Sequence, residues 1–145
     1  MEVLIKNLQR AIKIEKSIIE KAARKALSCE KRQGAKVSIA LVNDDRMRRL
    51  NKRYRSIDET TDVLAFAMSE GDAVGRNPEL LGDVVISLPQ VLKQAKKLKI
   101  SFDEEVSRLL IHGILHLLGY DDQSAPQKKK MEERQEAILK ELKKI

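Results

Sequence analysis

Aromatic side chains are scarce. The 145 residues include two Tyr, two Phe and no Trp: Tyr54, Phe66, Phe102 and Tyr120. A core must therefore be built from Leu, Ile, Val and Ala. Cysteine occurs once, as Cys29, which excludes an intrachain disulfide and a thiolate cluster and suits a reducing cytoplasm. No apolar run approaches the ~18 residues of a membrane-crossing helix. Met1 to Arg10 has neither the apolar centre nor the cleavage-like site of a signal peptide. Internal repeats and low-complexity segments are absent.

What is plentiful is charge. Charged residues make up 35% of the chain and the formal net charge is +7, well above the usual quarter of charged positions. Such a surface favours a polyanionic partner, although many basic proteins of this size are merely soluble. The length suits one domain, spanning 1–145.

Periodicity gives the elements. Val3-Leu4-Ile5 is a short strand candidate, and Ile14 to Glu30 reads as a helix with Ile18, Ile19, Ala22, Ala23, Ala26 and Leu27 on one side. Val37 to Val42 alternates like a strand. Asn43 or Asp44 can cap a helix running to about Tyr54, with Met47, Leu50 and Tyr54 inward. Asp62 to Phe66 and Asp83 to Ser87 are strands, separated by a glycine-bearing loop from Met68 to Gly82. Pro89 suits the first turn of a helix ending near Leu98. Ser101 with Glu104, and Ser124 with Gln127, read as capping boxes opening two further helices. The second reaches about Lys143, with Met131, Ile138 and Leu142 inward. The expected fold is α+β: a small, mainly mixed sheet of about four strands with about five helices. The helix through Val106, Leu110, Ile114 and Leu118 is apolar nearly all round, so it should be central.

That helix carries the chemistry. Both histidines of the chain, His112 and His116, lie on it at i and i+4. The offset is about 40° of rotation and roughly 6 Å of rise, so both rings leave one face. Gly119 should stop the helix as a C′ glycine, letting the chain bring Asp122 back towards them. Two imidazoles and one carboxylate after a glycine turn make an open metal site, most simply for one zinc ion on His112, His116 and Asp122. The spacing is that of the metzincin motif. A zinc peptidase, however, has Glu directly after the first His as general base, and here that residue is Gly113.

Three blocks in order and spacing resemble the YbeY family of bacterial endoribonucleases. They are Leu50-Asn51-Lys52-Arg53-Tyr54-Arg55 followed by Thr61-Asp62-Val63-Leu64-Ala65-Phe66; Leu81-Gly82-Asp83-Val84-Val85-Ile86-Ser87; and His112 to Asp122. The chain departs from the family pattern at Asp122, where the pattern has a third His, and at Thr60, Ala65 and Ala67, where it has Pro, Ser and Pro. Aspartate remains a sound zinc ligand, with a charge one unit lower.

The resemblance implies a metal-dependent endoribonuclease specific for single strands, acting with the ribosome or its proteins in ribosomal RNA maturation at the 16S 3′ end and in ribosome quality control. Arg55 matches the family's functional arginine; its fork suits two phosphate oxygens, and with His112 it would be catalytic. The general base is open: Asp62, Asp83, Asp121 or a second water could serve, and an RNA 2′-OH could attack instead. Arg46, Arg49 and Arg53, with Arg55, are the expected RNA contacts, and Lys93 to Lys99 and Lys128 to Lys130 form further basic patches. With so few aromatics, ring stacking on bases should contribute little. Two other readings compete: a zinc metalloprotease-like hydrolase, and a non-catalytic ribosome- or RNA-binding factor with a structural metal.

Overall fold

The structure is a computed structural model, and it describes residues 1–68 and 79–144. In chain order the elements are β1 (Glu2–Asn7), α1 (Lys16–Cys29), β2 (Lys36–Val42), α2 (Asp44–Arg55), β3 (Val63–Ala67), β4 (Leu80–Ser87), α3 (Leu88–Leu98), α4 (Phe102–Leu117) and α5 (Ala125–Lys143). Four strands form one mixed sheet in the order β1-β2-β4-β3. β1, β2 and β4 run parallel, and β3 is antiparallel to β4 at the edge. The fold is α+β, as the periodicities predict.

Strand alternation divides the side chains between two faces. Val37, Ile39, Leu41, Val84 and Ile86 enter the main core with Ile19, Ala23, Leu110, Ile111 and Ile114. On the opposite face a smaller cluster of Val42, Leu64 and Val85 packs on Met47 of α2. α4 meets α1, α3, α5, β3 and β4, which makes it central. Val106, Leu110, Ile111, Ile114 and Leu115 on it are fully buried.

Local signals explain the ends. Asn43 caps α2, its side chain accepting from the Arg46 N–H at 2.8 Å. Asp44 and Asp45 fill the first turn of α2 and Lys52, Arg53 and Arg55 the last, both favourable to the helix dipole. The Ser124–Gln127 capping box forms in full. The Ser101 box forms by half: Ser101 accepts from the Glu104 N–H at 3.0 Å, but the Glu104 carboxylate pairs with Lys143 of α5 instead.

Two expectations need correction. β4 begins at Leu80 rather than Asp83, because Gly82 belongs to the strand. The register shifts opposite Lys36/Val37, Gly82 takes φ 141°, and a Cβ there would lie 2.1 Å from the Phe66 carbonyl oxygen. This glycine therefore serves a bulge and a close strand approach. Residues 69–78 of the expected loop lie outside the described residues. Tyr54 does not turn inward. It is 52% exposed, with its ring edge-on to Phe66 of β3.

Candidate functional site

A cleft of about 380 Å³ opens between edge strand β3, α4 and the segment that follows α4. Its walls include Arg55, Leu64, His112, Gly113, His116, Asp121 and Asp122. The glycine stop forms as expected. Gly119 takes φ 104°, its N–H donates to the His116 carbonyl at 3.1 Å, and the Tyr120 N–H donates to that of Leu115 at 3.1 Å. These are the paired bonds of a Schellman turn. They redirect the chain so that Asp121 and Asp122 face the same cleft as the two rings.

Three residues remote in sequence hold this turn. The Tyr120 hydroxyl donates to Glu30 Oε1 at 2.6 Å, and Arg134 Nε donates to Glu30 Oε2 at 2.6 Å. Arg134 Nη2 also donates to the Cys29 carbonyl at 2.9 Å. The hydrogen bond to Glu30, then burial, raises the Tyr120 phenol above its ordinary pKa. The end of α1 and the middle of α5 are thereby tied to the segment that presents the carboxylates.

His112 is oriented in the same way. Its Nδ1 lies 2.8 Å from Oε1 of the buried Gln135 on α5. Donation from an Nδ1–H to Oε1 would leave the lone pair on Nε2. That tautomer suits metal ligation through Nε2. Gly113, next along, faces the sheet: a Cβ there would meet Val84 Cγ1 at 2.8 Å and Cγ2 at 3.3 Å. Helix and sheet approach so closely here that a side chain at 113 would press on Val84.

Arg55 reaches the cleft from the end of α2. Its Nη2 donates to the Ala65 carbonyl at 2.9 Å and its guanidinium lies 5.2 Å from the Phe66 ring centroid. The carbonyl belongs to edge strand β3, so the arginine also covers part of that edge.

Other candidates lie elsewhere. Asp62 spends its carboxylate on the Val63 N–H at 2.7 Å and Gln94 Nε2 at 3.0 Å. Asp83 lies on the opposite sheet face, in a separate depression. Of the three expected general bases, Asp121 alone lines the cleft. Arg46, Arg49 and Arg53 gather around Leu50 on α2, in a depression of their own rather than in the cleft.

Among the described residues no three His, Cys, Asp or Glu side chains converge closely enough to enclose an ion as they stand. The donor set nevertheless suits a divalent metal: two imidazoles one helical turn apart, one of them hydrogen-bonded to Gln135, facing carboxylates across the cleft.

A sequence profile of the family described as Endoribonuclease YbeY matches residues 4–143. The chain belongs to the YbeY endoribonuclease family. An Endoribonuclease YbeY of Desulforamulus reducens is 41% identical, covering 98% of this chain and 97% of its own. The Aquifex aeolicus protein of that name is 43% identical over 98% and 92%. A solution structure from Thermotoga maritima matches with TM-score 0.67 at 26% identity, over 97% of this chain and 88% of that one.

Within this YbeY chain, the sequence pattern pointed to the helix, the glycine turn and Arg55. It passed over Gln135, Glu30 and Arg134. Gln135 lies 23 residues from His112 in sequence and has no motif of its own. Its one local signal is an amide in a buried register of α5, between Met131 and Ile138.

Proposed function

We propose that this protein is a metal-dependent endoribonuclease for single-stranded RNA, working in the cytoplasm on ribosomal RNA at the 16S 3′ end, with the ribosome or its proteins as partner. The observation that carries the reading is the cleft itself. Arg55 of α2, His112 and His116 of α4, and Asp121 and Asp122 of the segment after it share one solvent-open depression. Family membership supplies the reaction class, the hydrolysis of a phosphodiester.

The ligands of one zinc ion would be His112, His116 and Asp122. When bound, such an ion supplies Lewis acidity towards a phosphoryl oxygen and lowers the pKa of water. The chain's own residues do the rest. The Arg55 fork, held from behind by the Ala65 carbonyl, meets two non-bridging phosphate oxygens and stabilises the charge that grows on them. Gln135 keeps the His112 proton on Nδ1. Asp121 is the carboxylate available to take a proton from the attacking water.

The peptidase alternative lacks its general base, because residue 113 is a glycine packed closely against Val84. The proposal is tested by single-stranded RNA cleavage together with elemental analysis. Arg55→Ala should keep fold and metal content yet lose about 10²–10³ in rate. Arg55→Lys should recover little, lacking the fork. Arg24→Ala, on the far surface of α1 and paired with Glu20, is the control. His116→Ala and Asp122→Ala should each lower metal occupancy, and full occupancy in both would refute the ligand set.

A further inference from the structure

The sheet face opposite the main core is only half covered. The strand registers set Leu4, Ser38, Asp83 and Phe66 in one row across it, and Lys6, Ala40, Val85 and Leu64 in the next. α2 covers Val42, Leu64 and part of Val85 through Met47 and Leu50. Beyond α2 lies a depression of about 400 Å³, separate from the cleft. Its floor is Ala40 and Val85, its wall is Tyr54 and Phe66, and its rim carries Lys6, Ser38 and Asp83.

We propose that this open sheet face is a nucleobase platform for single-stranded RNA, on which the base next to the phosphate held by Arg55 stacks against the Tyr54–Phe66 pair. The inference rests on the endoribonuclease reading and adds a second subsite to it.

Four observations carry it. Half of the chain's four aromatic side chains are gathered here. They meet edge-on, with centroids 5.3 Å apart and planes at 65°, and Tyr54 is 52% exposed. Cations flank both rings: the Arg53 guanidinium lies 5.3 Å from the Tyr54 centroid and that of Arg55 lies 5.2 Å from the Phe66 centroid. Such a row of guanidinium planes and rings suits the alternating phosphates and π-faces of a single strand. Arg55 and β3 also link the depression to the cleft. Arg55 lines the cleft while lying over Phe66, and Leu64, which shares the sheet face with Phe66, lines the cleft as well.

The rim suits a base rather than a second phosphate. Asp83 offers only acceptors and would repel an anion, whereas the exocyclic amino groups and imino N–H groups of bases are donors. Lys6 donates and Ser38 does either, so a base edge finds both kinds of partner.

The test measures binding separately from cleavage. Fluorescence anisotropy compares a short labelled oligoribonucleotide with the same chain of abasic riboses, using the metal-loaded protein. Wild type should hold the base-bearing oligonucleotide roughly 5- to 100-fold more tightly. Tyr54→Leu should lose most of that difference while binding the abasic chain as before, and Tyr54→Trp should keep it. In cleavage assays Tyr54→Leu should raise KM with kcat little changed. Equal affinity of wild type for the two oligonucleotides would overturn the platform. So would an unchanged preference in Tyr54→Leu, which would leave the face to a protein partner. Cleavage without base preference removes the platform and leaves the endoribonuclease standing. A base preference that depends on Tyr54, without any cleavage, supports the platform and removes the endoribonuclease.

Discussion

Gly113 and Gln135 act on the two sides of His112. The first lets α4 approach the sheet, and the second sets the proton on the ring. Gly113→Ala would push a methyl group against Val84 Cγ1 at 2.8 Å. Val is stiff at χ1, so the strain exceeds the helix propensity gained. The expected loss is about 1–2 kcal/mol in urea unfolding, relieved when Val84→Ala is added. Gln135→Leu should unfold normally but bind metal about 10- to 100-fold more weakly in chelator competition. Gln135→Glu, which still accepts from Nδ1, should lose less. If both variants hold metal like wild type, Gln135 is merely a buried amide. The metal-ligand candidates were legible in the sequence because two histidines and a glycine lie within eight positions. The Gln135, Glu30 and Arg134 contacts were not, because tertiary packing joins α1 and α5 to α4 and leaves no local pattern.

At the scale of elements, the periodicities predicted each helix and strand found among the described residues, and the departures have local causes. A glycine usually reads as a break, yet Gly82 continues β4 because a bulge needs its φ of 141°. Tyr54 fits an inward helical period, but α2 rests on only one end of the sheet, so its last turn overhangs open surface. The α3–α4 link stores strain: Lys99 caps α3 at φ 58° in the left-handed region. Lys99→Gly should stabilise the protein by about 0.5–1 kcal/mol in chemical denaturation. A second strain lies within α4. Glu105 is fully buried; its Oε1 accepts from Arg108 Nε and Nη2, both at 2.8 Å, while Oε2 has no partner among the described residues. Burial raises its pKa, with a smaller contribution from Asp62, against the pull of Arg108. The folded state then binds the Glu105 proton more tightly than the unfolded state does. Its contribution to stability is therefore greatest in acid and is lost as pH rises from the ordinary carboxylate range through the raised value. Urea midpoints across mildly acidic pH should show this fall, and Glu105→Gln should flatten it. An unaltered slope in that variant would assign the fall to other groups.

Across the whole molecule, the net charge of +7 is unevenly available to a polyanion. On and around α2, Arg49 is paired with Asp45 at 3.2 Å, and Asp58 takes Arg48 at 2.8 Å and Lys52 at 3.9 Å. Among the described residues, Arg46, Arg53 and Arg55 form no ion pair with a carboxylate. The Asp58 carboxyl is held below its ordinary pKa chiefly by the Arg48 hydrogen bond, so that pair persists at neutral pH. Both partners are exposed, and the pair adds little to stability. It does matter for binding. A cation already neutralised by a carboxylate displaces few counterions from RNA, whereas an unpaired one displaces close to its full share. Binding of a short single-stranded RNA should therefore weaken steeply with salt, with a log–log slope of about −0.7 for each phosphate met. Arg53→Ala and Arg55→Ala should each reduce the slope by roughly 0.7, and Arg46→Ala should do so if the strand continues along α2. Arg48→Ala should change it less, because the aspartate it releases offsets the charge removed. The measurement is Kd over a salt series for each variant. Equal changes for Arg48 and Arg53 would mean that RNA senses only the total charge, while a flat wild-type response would mean that these cations are not its grip.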